Sequence, residues 1–151
     1  WVPLKLMYPA ADIPVVQLSV QPRRDPAHHL AIGRALAPLA AEGVMVVGSG
    51  SLPHNHPAAF SGVPRGLRPL TDPPADWVRA FADWIEEKVA AGDIEALLDY
   101  RARAPFAVRN HPTDEHLLPL FVALGVGGAG TRIHHDYDFG VLAMDAYRFV
   151  A

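Results

Sequence analysis

The sequence predicts an α/β fold, with a mostly parallel central sheet flanked by helices in three layers, α/β/α. Two mainly apolar, β-branched runs, at positions 13–20 and 44–50, are typical of strands that are covered on both faces. Between them, residues 27–42 carry apolar side chains at helical spacing and are followed by Gly43, a common helix stop. The order strand, helix, strand indicates a βαβ unit with parallel strands and a right-handed crossover.

Further helices are predicted from apolar stripes and capping residues. Residues 76–91 place their aromatic and aliphatic side chains on one helical face, which indicates a core helix. Asp93 can cap a short helix that follows, and Thr113 can cap another one that ends at Gly125. We expect Pro119 to strain the middle of that last helix.

The remaining segments have weaker patterns. Residues 53–74 are rich in Pro and Gly and predict a loop long enough to be a functional lid or site loop. Residues 101–112 predict irregular structure. Residues 140–150 alternate partly between apolar and polar side chains, which predicts a closing strand.

The composition restricts the class of protein. With 151 residues the chain fits one domain, and its net charge of −3 lacks the basic excess of nucleic-acid-binding proteins. No apolar run reaches the roughly 20 residues that span a bilayer, and no export signal is visible, so we expect no membrane partner and a cytoplasmic location. Because the chain has no cysteine, a transition metal would need His and carboxylate ligands.

His54 and His56 follow the second predicted strand, and this position makes them candidates for a site. Ligands of open α/β sheets bind outside the carboxyl ends of the parallel strands. An imidazole there can be a metal ligand or a general acid/base. The alternative is a loop histidine hydrogen-bonded to backbone. No P-loop, HExxH or GxSxG motif is present in the chain. The glycine-rich "GVGGAG" at 125–130 has GxGxxG spacing, but it follows a predicted helix and not a strand, which indicates a turn and not a phosphate cradle.

The other histidines have competing interpretations. His116, near the predicted helix start, can point toward the same crevice or be an ordinary interfacial histidine. His111 precedes a proline, which favours an extended backbone and a role in shaping the turn. We expect His28 and His29 to face solvent. His134 and His135 are adjacent in an extended segment and point to opposite faces, so at most one of them can join a given site.

Four motifs, in order, carry a resemblance to a known family: "WVPLKLMYPAADIPVVQLS", "GVMVVGSGSLPHN", "HPTDEHLLPLFVALGVGGAG" and "MDAYRF". Together they resemble the class III extradiol ring-cleavage dioxygenases, the LigB-like superfamily, and within it the DOPA-dioxygenase branch. The resemblance covers essentially the whole chain. It implies that residues 1–151 are the C-terminal part, roughly the latter half, of a single catalytic domain.

The resemblance implies a function and a set of site residues. It implies one non-haem Fe(II), with zinc as an alternative ion, and opening of a catechol ring, such as that of DOPA, with O₂. His54, in the "HN" motif, would act as acid/base or metal ligand, and His116 would be the late metal ligand. Glu115 is the fallback ligand. Asn55, His111 and Glu115 are candidates for substrate binding.

The resemblance also implies that this chain holds an incomplete metal site. The family's other two histidine ligands lie in "GHG" or "GHA" and "SAHW"-like motifs of the N-terminal half, which these residues do not contain. We therefore expect weak iron binding by the chain alone. The start at Trp1 and the apolar predicted strands suggest a complementary N-terminal segment or a homo-oligomer. Phe60 and Tyr147 are guesses for an apolar substrate slot.

Two other functions stay open. One is a non-catalytic member of the family, with the fold but without a complete metal site, which serves assembly or ligand binding. The other is a zinc hydrolase on a similar fold, which would cleave an ester or amide without consuming O₂. Metal analysis and oxygen uptake distinguish these functions from a dioxygenase.

Overall fold

A computed structural model describes residues 2–53, 55–60, 66 and 68–150, with only the backbone at His56. Most of this part of the chain is helical or irregular, and the strands are short. The helices are α1 (Val2–Met7), α2 (Pro26–Ala40), α3 (His56–Phe60), α4 (Asp76–Ala91), α5 (Ile94–Leu98), α6 (Tyr100–Arg103), α7 (Ala107–Asn110) and α8 (Leu118–Gly127). The strands are β1 (Gly130–His134), β2 (Tyr137–Asp138), β3 (Leu142–Ala143) and β4 (Ala146–Phe149). Among the described residues, no helix is both long and apolar enough to cross a membrane.

The core forms around α4 and α8. α4 has the predicted bounds and buries an apolar face, as the periodicity requires. Phe81 and Ile85 of α4 and Phe121 of α8 are completely buried in one cluster. The predicted cap of α5 is confirmed, because the Asp93 side chain accepts a hydrogen bond of 3.1 Å from the backbone N–H of Ala96.

Helices α2 and α8 cross at close range, and this crossing depends on glycine. A Cβ atom added at Gly33 would overlap the carbonyl oxygen of Val122 and the backbone of Gly125. The absence of a side chain at Gly33 therefore lets the two backbones touch. α2 occupies almost the predicted range, begins after the capping residue Asp25 and continues through Pro38.

The predicted parallel sheet is not found in the described residues. Residues 13–20 and 44–50 belong to no strand, and their apolar side chains are exposed: Val16 is 94% and Val47 is 55% accessible. The predicted βαβ unit is therefore wrong for the part of the chain that the structure describes. A strand needs a neighbour for its N–H and C=O groups, and the apolar pattern alone does not supply one.

The described strands form two small antiparallel sheets. β1 pairs with β4, with an irregularity between Arg132 and His134, and β2 pairs with β3. The single strand predicted for residues 140–150 is thus two strands, β3 and β4, which pair with different partners. The segment predicted to be irregular, 101–112, contains part of α6 and all of α7, and α3 lies inside the predicted long loop.

The helix expected to start after Thr113 begins later. α8 starts at Leu118, and the turn before it is closed by the Asp114 carbonyl oxygen, which accepts from the N–H groups of Leu117 (2.9 Å) and Leu118 (3.1 Å). Pro119 therefore lies in the first turn, where a missing N–H has no cost, and the predicted strain is wrong. The helix also continues past the predicted stop at Gly125 to Gly127.

Candidate functional site

His116 lies in the turn between α7 and α8 and not on a helix. Its side chain is 43% exposed, and its Nδ1 lies 3.1 Å from Oε1 of Glu115. A carboxylate accepts a hydrogen bond, so this contact places a proton on Nδ1 and leaves the lone pair of the neutral ring on Nε2. Metal-binding histidines are commonly oriented in this way by a carboxylate on the other ring nitrogen.

Glu115 is held in its ionised form. Its own backbone N–H, the Thr113 hydroxyl and then the His116 imidazole lower the pKa of the Glu115 carboxyl below its usual range. The Thr113 hydroxyl donates to Oε1 over 2.8 Å. Glu115 is therefore a carboxylate at neutral pH, fixed beside the imidazole that follows it. This geometry makes Glu115 the partner of His116.

His54 lies outside the described residues, but residues on both sides of it contact the segment from Arg109 on α7 to His116 in the turn. The Ser51 backbone N–H donates to the His116 carbonyl oxygen over 2.8 Å. On the other side, the Asn55 side-chain amide donates to the Arg109 carbonyl oxygen over 2.7 Å. The chain before and after position 54 is therefore attached to the 109–116 segment, which is remote in sequence.

The close contact between residues 48–51 and the start of α8 also depends on glycine. A Cβ atom added at Gly50 would overlap the carbonyl oxygen of His116, and one at Gly48 would overlap that of Pro119. The glycines of "VGSG" thus let the backbone of residues 48–51 lie directly against the start of α8. Their role here is close backbone contact.

The predicted substrate-binding residues Asn55 and His111 have defined partners. Both ends of the Asn55 amide are used, because its Oδ1 also accepts from the Ala58 N–H over 3.1 Å at the start of α3. His111 is completely buried, with its ring centroid 5.5 Å from that of Phe81. Its backbone before Pro112 has φ −125° and ψ 86°, and its ψ is smaller than the extended conformation that the proline predicts.

His29 and its neighbours form a second histidine region. His29 is 1% exposed, so the prediction that it faces solvent is wrong. Its Nδ1 lies 2.9 Å from the Asp25 carbonyl oxygen, and its Nε2 accepts from the Gln21 N–H over 3.3 Å. His28 is partly buried at the same helix start. Because both ring nitrogens of His29 bond to backbone, this histidine stabilises the start of α2.

A buried carboxylate anchors the β1–β4 region. The Asp145 side chain is fully buried, 2.5 Å from His135 Nδ1 and 3.6 Å from Arg132 Nη1. The Tyr147 hydroxyl donates to it over 3.4 Å, and burial raises the pKa of that hydroxyl. Tyr147, a guess for the substrate slot, therefore belongs to this cluster. Of the two adjacent histidines, His135 contacts Asp145.

The fit of a metal can be tested on the donor atoms. Within the described ranges, no group of three or more His, Asp or Glu side chains is placed to hold an ion. His116, with its ring oriented by Glu115, fits as one ligand. Phe60, the other guess for the substrate slot, is 54% exposed at the end of α3.

Sequence reasoning missed three residues that hold the turn of His116. Asp114 accepts hydrogen bonds from the Tyr100 hydroxyl, over 2.7 Å, and from the Arg101 guanidinium. Asp114 directly follows the predicted cap Thr113, so the sequence predicts for it only a place in the first turn of a helix. Its partners lie on α6, in a segment with no periodic pattern, so the sequence gives no signal for this contact.

The family model for the catalytic LigB subunit of aromatic ring-opening dioxygenase matches residues 1–149. The chain therefore belongs to the LigB family of ring-opening dioxygenases. It is 44% identical over 154 residues to a 4,5-DOPA dioxygenase extradiol of Beta vulgaris and 42% identical over 158 residues to that of Portulaca grandiflora. Both alignments cover 100% of this chain and 54% of the relative.

Two bacterial comparisons agree with this assignment. A 4,5-DOPA dioxygenase extradiol of Escherichia coli K12 is 36% identical over 132 residues, covering 83% of this chain and 44% of the relative. The crystal structure of the uncharacterized protein JW3007 from Escherichia coli K12 superposes with a TM-score of 0.78 at 29% identity, over 95% of this chain and 58% of that chain. The backbone thus shares a known fold, and the chain spans about half the length of the curated relatives it matches.

Proposed function

We propose that this chain carries part of the active site of an Fe(II)-dependent extradiol dioxygenase that opens the ring of a DOPA-like catechol with O₂. Membership of the LigB family and the names of the relatives support the reaction class. The observation that carries the proposal is the orientation of His116 by Glu115, in a turn that the Ser51 backbone contacts, while Asn55 bonds to Arg109 of the preceding helix α7. A ligand and an acid/base group near one another are the parts that this reaction needs.

His116 is proposed to hold the metal through Nε2, with Glu115 fixing the ring. When bound, Fe(II) would position the catechol oxygens and activate O₂; zinc accepts the same ligands and is the alternative ion. Glu115 is already bonded to Thr113 and His116, so orienting the imidazole is its proposed role, and metal ligation is the fallback. The His116 side chain is partly exposed, at 43%.

His54 is proposed to accept the phenolic proton of the bound catechol and to return a proton later in the reaction, or to serve as a second metal ligand. A histidine suits proton transfer because its pKa lies near neutral pH. Asn55 and His111 are then proposed to support the residues that form the site. Asn55 bonds to the start of α3 and to the Arg109 carbonyl oxygen, and His111 is completely buried.

A further segment is proposed to complete the site. Residues 13–20 and 44–50 present apolar side chains to solvent, and the relatives are about twice as long as the aligned region. Apolar strands of this kind are stable when neighbouring strands cover them. The proposed partner is a complementary N-terminal segment that supplies the remaining histidine ligands, and a second copy of the chain is the alternative.

The proposal can be tested by complementation. The chain is mixed with the separately expressed N-terminal half of the Beta vulgaris relative, loaded with Fe(II), and assayed for oxygen uptake with DOPA. We expect uptake that falls by about 10²-fold or more in His54→Ala and in His116→Ala, because each removes a group from the reacting centre. His134→Ala removes an exposed histidine and is the matched control.

The outcomes distinguish the alternatives. Undiminished uptake in both His54→Ala and His116→Ala would refute the proposed site. An assembled, iron-loaded pair without oxygen uptake would favour a non-catalytic member of the family. Metal-dependent ester or amide cleavage without oxygen consumption would favour a zinc hydrolase.

A further inference from the structure

Three side chains connect α6 to the turn that carries His116. The Tyr100 hydroxyl donates to Oδ1 of Asp114 over 2.7 Å, and the Arg101 guanidinium donates to the same oxygen. Nη1 of Arg101 also lies 3.3 Å from the Tyr100 hydroxyl and 3.2 Å from the carbonyl oxygen of His111. Two consecutive residues of one short helix thus bind both ends of the 111–114 segment.

Tyr100 gives this contact a rigid base. It is 1% exposed, and its ring packs against Phe81 and Phe121 of the main core, with centroids 6.4 Å and 6.2 Å away. Burial, followed by the hydrogen bond to Asp114, raises the pKa of the Tyr100 hydroxyl, so it is a neutral donor at any ordinary pH. The position of the Asp114 carboxylate is therefore set by the core.

Asp114 connects the core to the turn of His116 through its backbone. Its carbonyl oxygen accepts from the N–H groups of Leu117 and Leu118, which closes the turn around residues 115 and 116 and starts α8. On the opposite side, the Ser51 N–H holds the His116 carbonyl oxygen. The backbone that carries Glu115 and His116 is thus fixed at both ends, although it has no regular secondary structure.

The ion pair alone would not explain the arrangement. The side chains of Arg101 and Asp114 are 39% and 33% exposed, and ion pairs at such positions stabilise proteins little. The contact with the buried Tyr100 has a different consequence, because it defines one geometry of the turn. Ligand groups need to be held within about 0.5 Å of their working positions, and a displacement of about 1 Å can cost about 10²-fold in rate.

We propose that Asp114, held by Tyr100 and Arg101, is a positioning residue that fixes the turn of His116 so that its imidazole is preorganised for metal binding and catalysis. This inference rests on the proposed function of His116. It assigns a catalytic consequence to three residues that do not touch the substrate or the metal. It also predicts that their loss changes the His116 ring more than it changes the stability of the fold.

The test compares Asp114→Ala and the milder Tyr100→Phe with Arg103→Gln. Arg103 lies on the same helix and pairs with Glu95 at 2.6 Å and Asp99 at 3.3 Å, away from the turn, so it is the matched control. The first readout is the ¹⁵N NMR spectrum of the His116 ring in the chain itself. We expect one Nδ1–H tautomer in the parent and in Arg103→Gln, and averaged tautomers in Asp114→Ala.

The second readout uses the complemented enzyme. We expect Asp114→Ala to lower kcat by about 10²-fold with little change in KM, and to weaken Zn²⁺ binding by about 10- to 100-fold. Tyr100→Phe, which keeps the core ring, should lower kcat less, and Asp114→Asn, which keeps an acceptor for Tyr100, should recover part of the loss. Arg103→Gln should match the parent.

Retention of a single His116 tautomer and of the parent kcat in Asp114→Ala would overturn the proposal. If Asp114→Ala does not fold, Tyr100→Phe decides, because it removes a single oxygen atom; parent-like values there would overturn the proposal. The ring spectrum does not depend on turnover, so a failure of the dioxygenase function, seen in the parent enzyme and in His116→Ala, is distinguishable from a failure of this inference.

Discussion

The helical region from residue 76 to residue 127 and the two segments at 13–20 and 44–50 are both rich in apolar residues, but they differ in exposure. Phe81 and Ile85 of α4 are completely buried, whereas Val16 is 94% exposed. A helix satisfies its backbone hydrogen bonds internally and needs only a surface on which to pack. A strand needs a neighbouring strand as well, so an apolar strand sequence is covered only when its neighbours are present.

His116 lies where these two regions meet. From the packed side, Tyr100 and Arg101 hold Asp114. From the other side, the backbone of Ser51 holds the His116 carbonyl oxygen. On one side the site is bounded by residues attached to the packed core. On the other side it is bounded by residues that follow the exposed apolar segment 44–50. This difference predicts which substitutions affect folding and which affect assembly of the enzyme.

The largest effect is expected from a cavity in the packed region. Phe81→Ala removes a ring that is 0% exposed and should lower the free energy of unfolding by about 3–5 kcal/mol. Val16→Ala, in the uncovered region, should change it by less than about 0.5 kcal/mol. Urea denaturation of the two variants and the parent chain measures this contrast. Similar losses in both variants would remove the distinction between the regions.

A smaller effect is expected on assembly. Val16→Asp should leave the stability of the chain alone nearly unchanged, because this side chain is exposed. In the complemented enzyme the same position is proposed to be covered, and an unpaired carboxylate there is costly. We therefore expect association with the N-terminal half to weaken by at least about tenfold, measured by titration calorimetry.

Lys5→Asp, which changes the charge at another exposed position, is the control for that experiment. Equal affinity of the parent and Val16→Asp for the N-terminal half would show that residues 13–20 do not form the proposed interface. If the parent chain forms a stable homodimer and does not bind the N-terminal half, the result would favour a second copy of the chain as the partner.

The smallest effect is expected on the pH dependence of the free energy of unfolding. The pKa of Glu115 is lowered in the folded chain, so its stabilising contribution is present above the unfolded value of about 4.3 and is lost as the pH falls through the folded value. His116 keeps an Nδ1–H donor whether neutral or protonated. The stability difference between the parent and Glu115→Gln should therefore shrink as the pH falls from about 5 toward 3.

Urea midpoints at several pH values measure this difference, and Glu42→Gln, at an exposed position, is the control. A difference between the parent and Glu115→Gln that does not change between pH 7 and pH 3 would contradict the role of the Glu115 carboxylate. The effect is small because the Glu115 side chain is 36% exposed and partly screened by water.

The features that the sequence predicted correctly are local ones. The bounds of α4 and the Asp93 cap follow from spacing within a few turns of chain. The prediction of strands at 13–20 and 44–50 is wrong, because the residues of these segments do not show which neighbouring strands would pair with them. The late start of α8 at Leu118 has a similar cause, since Asp114 is held by α6 and closes a turn before the helix begins.

The same division applies to the site. Glu115 and His116 are adjacent in sequence, and both are candidate site residues in the sequence analysis. There His116 is the expected metal ligand, and Glu115 is the fallback ligand and a candidate for substrate binding. Ser51 and Asn55 contact the 109–116 segment, which is remote from them in sequence. That the His54 and His116 rings share one crevice stays a prediction. The Tyr100–Arg101–Asp114 network could not be predicted, because it joins residues 13 and 14 positions apart across irregular chain.

We propose that the imidazoles of His54 and His116 face one ion. The most direct measurement is a crystal structure of the complemented protein soaked in Zn²⁺, with the ion located by anomalous scattering. We predict one ion bound by Nε2 of His116 at about 2.0–2.1 Å, with the His54 ring beside it, as second ligand or within hydrogen-bonding reach. Rings that point away from each other, or an ion that contacts neither, would contradict the account.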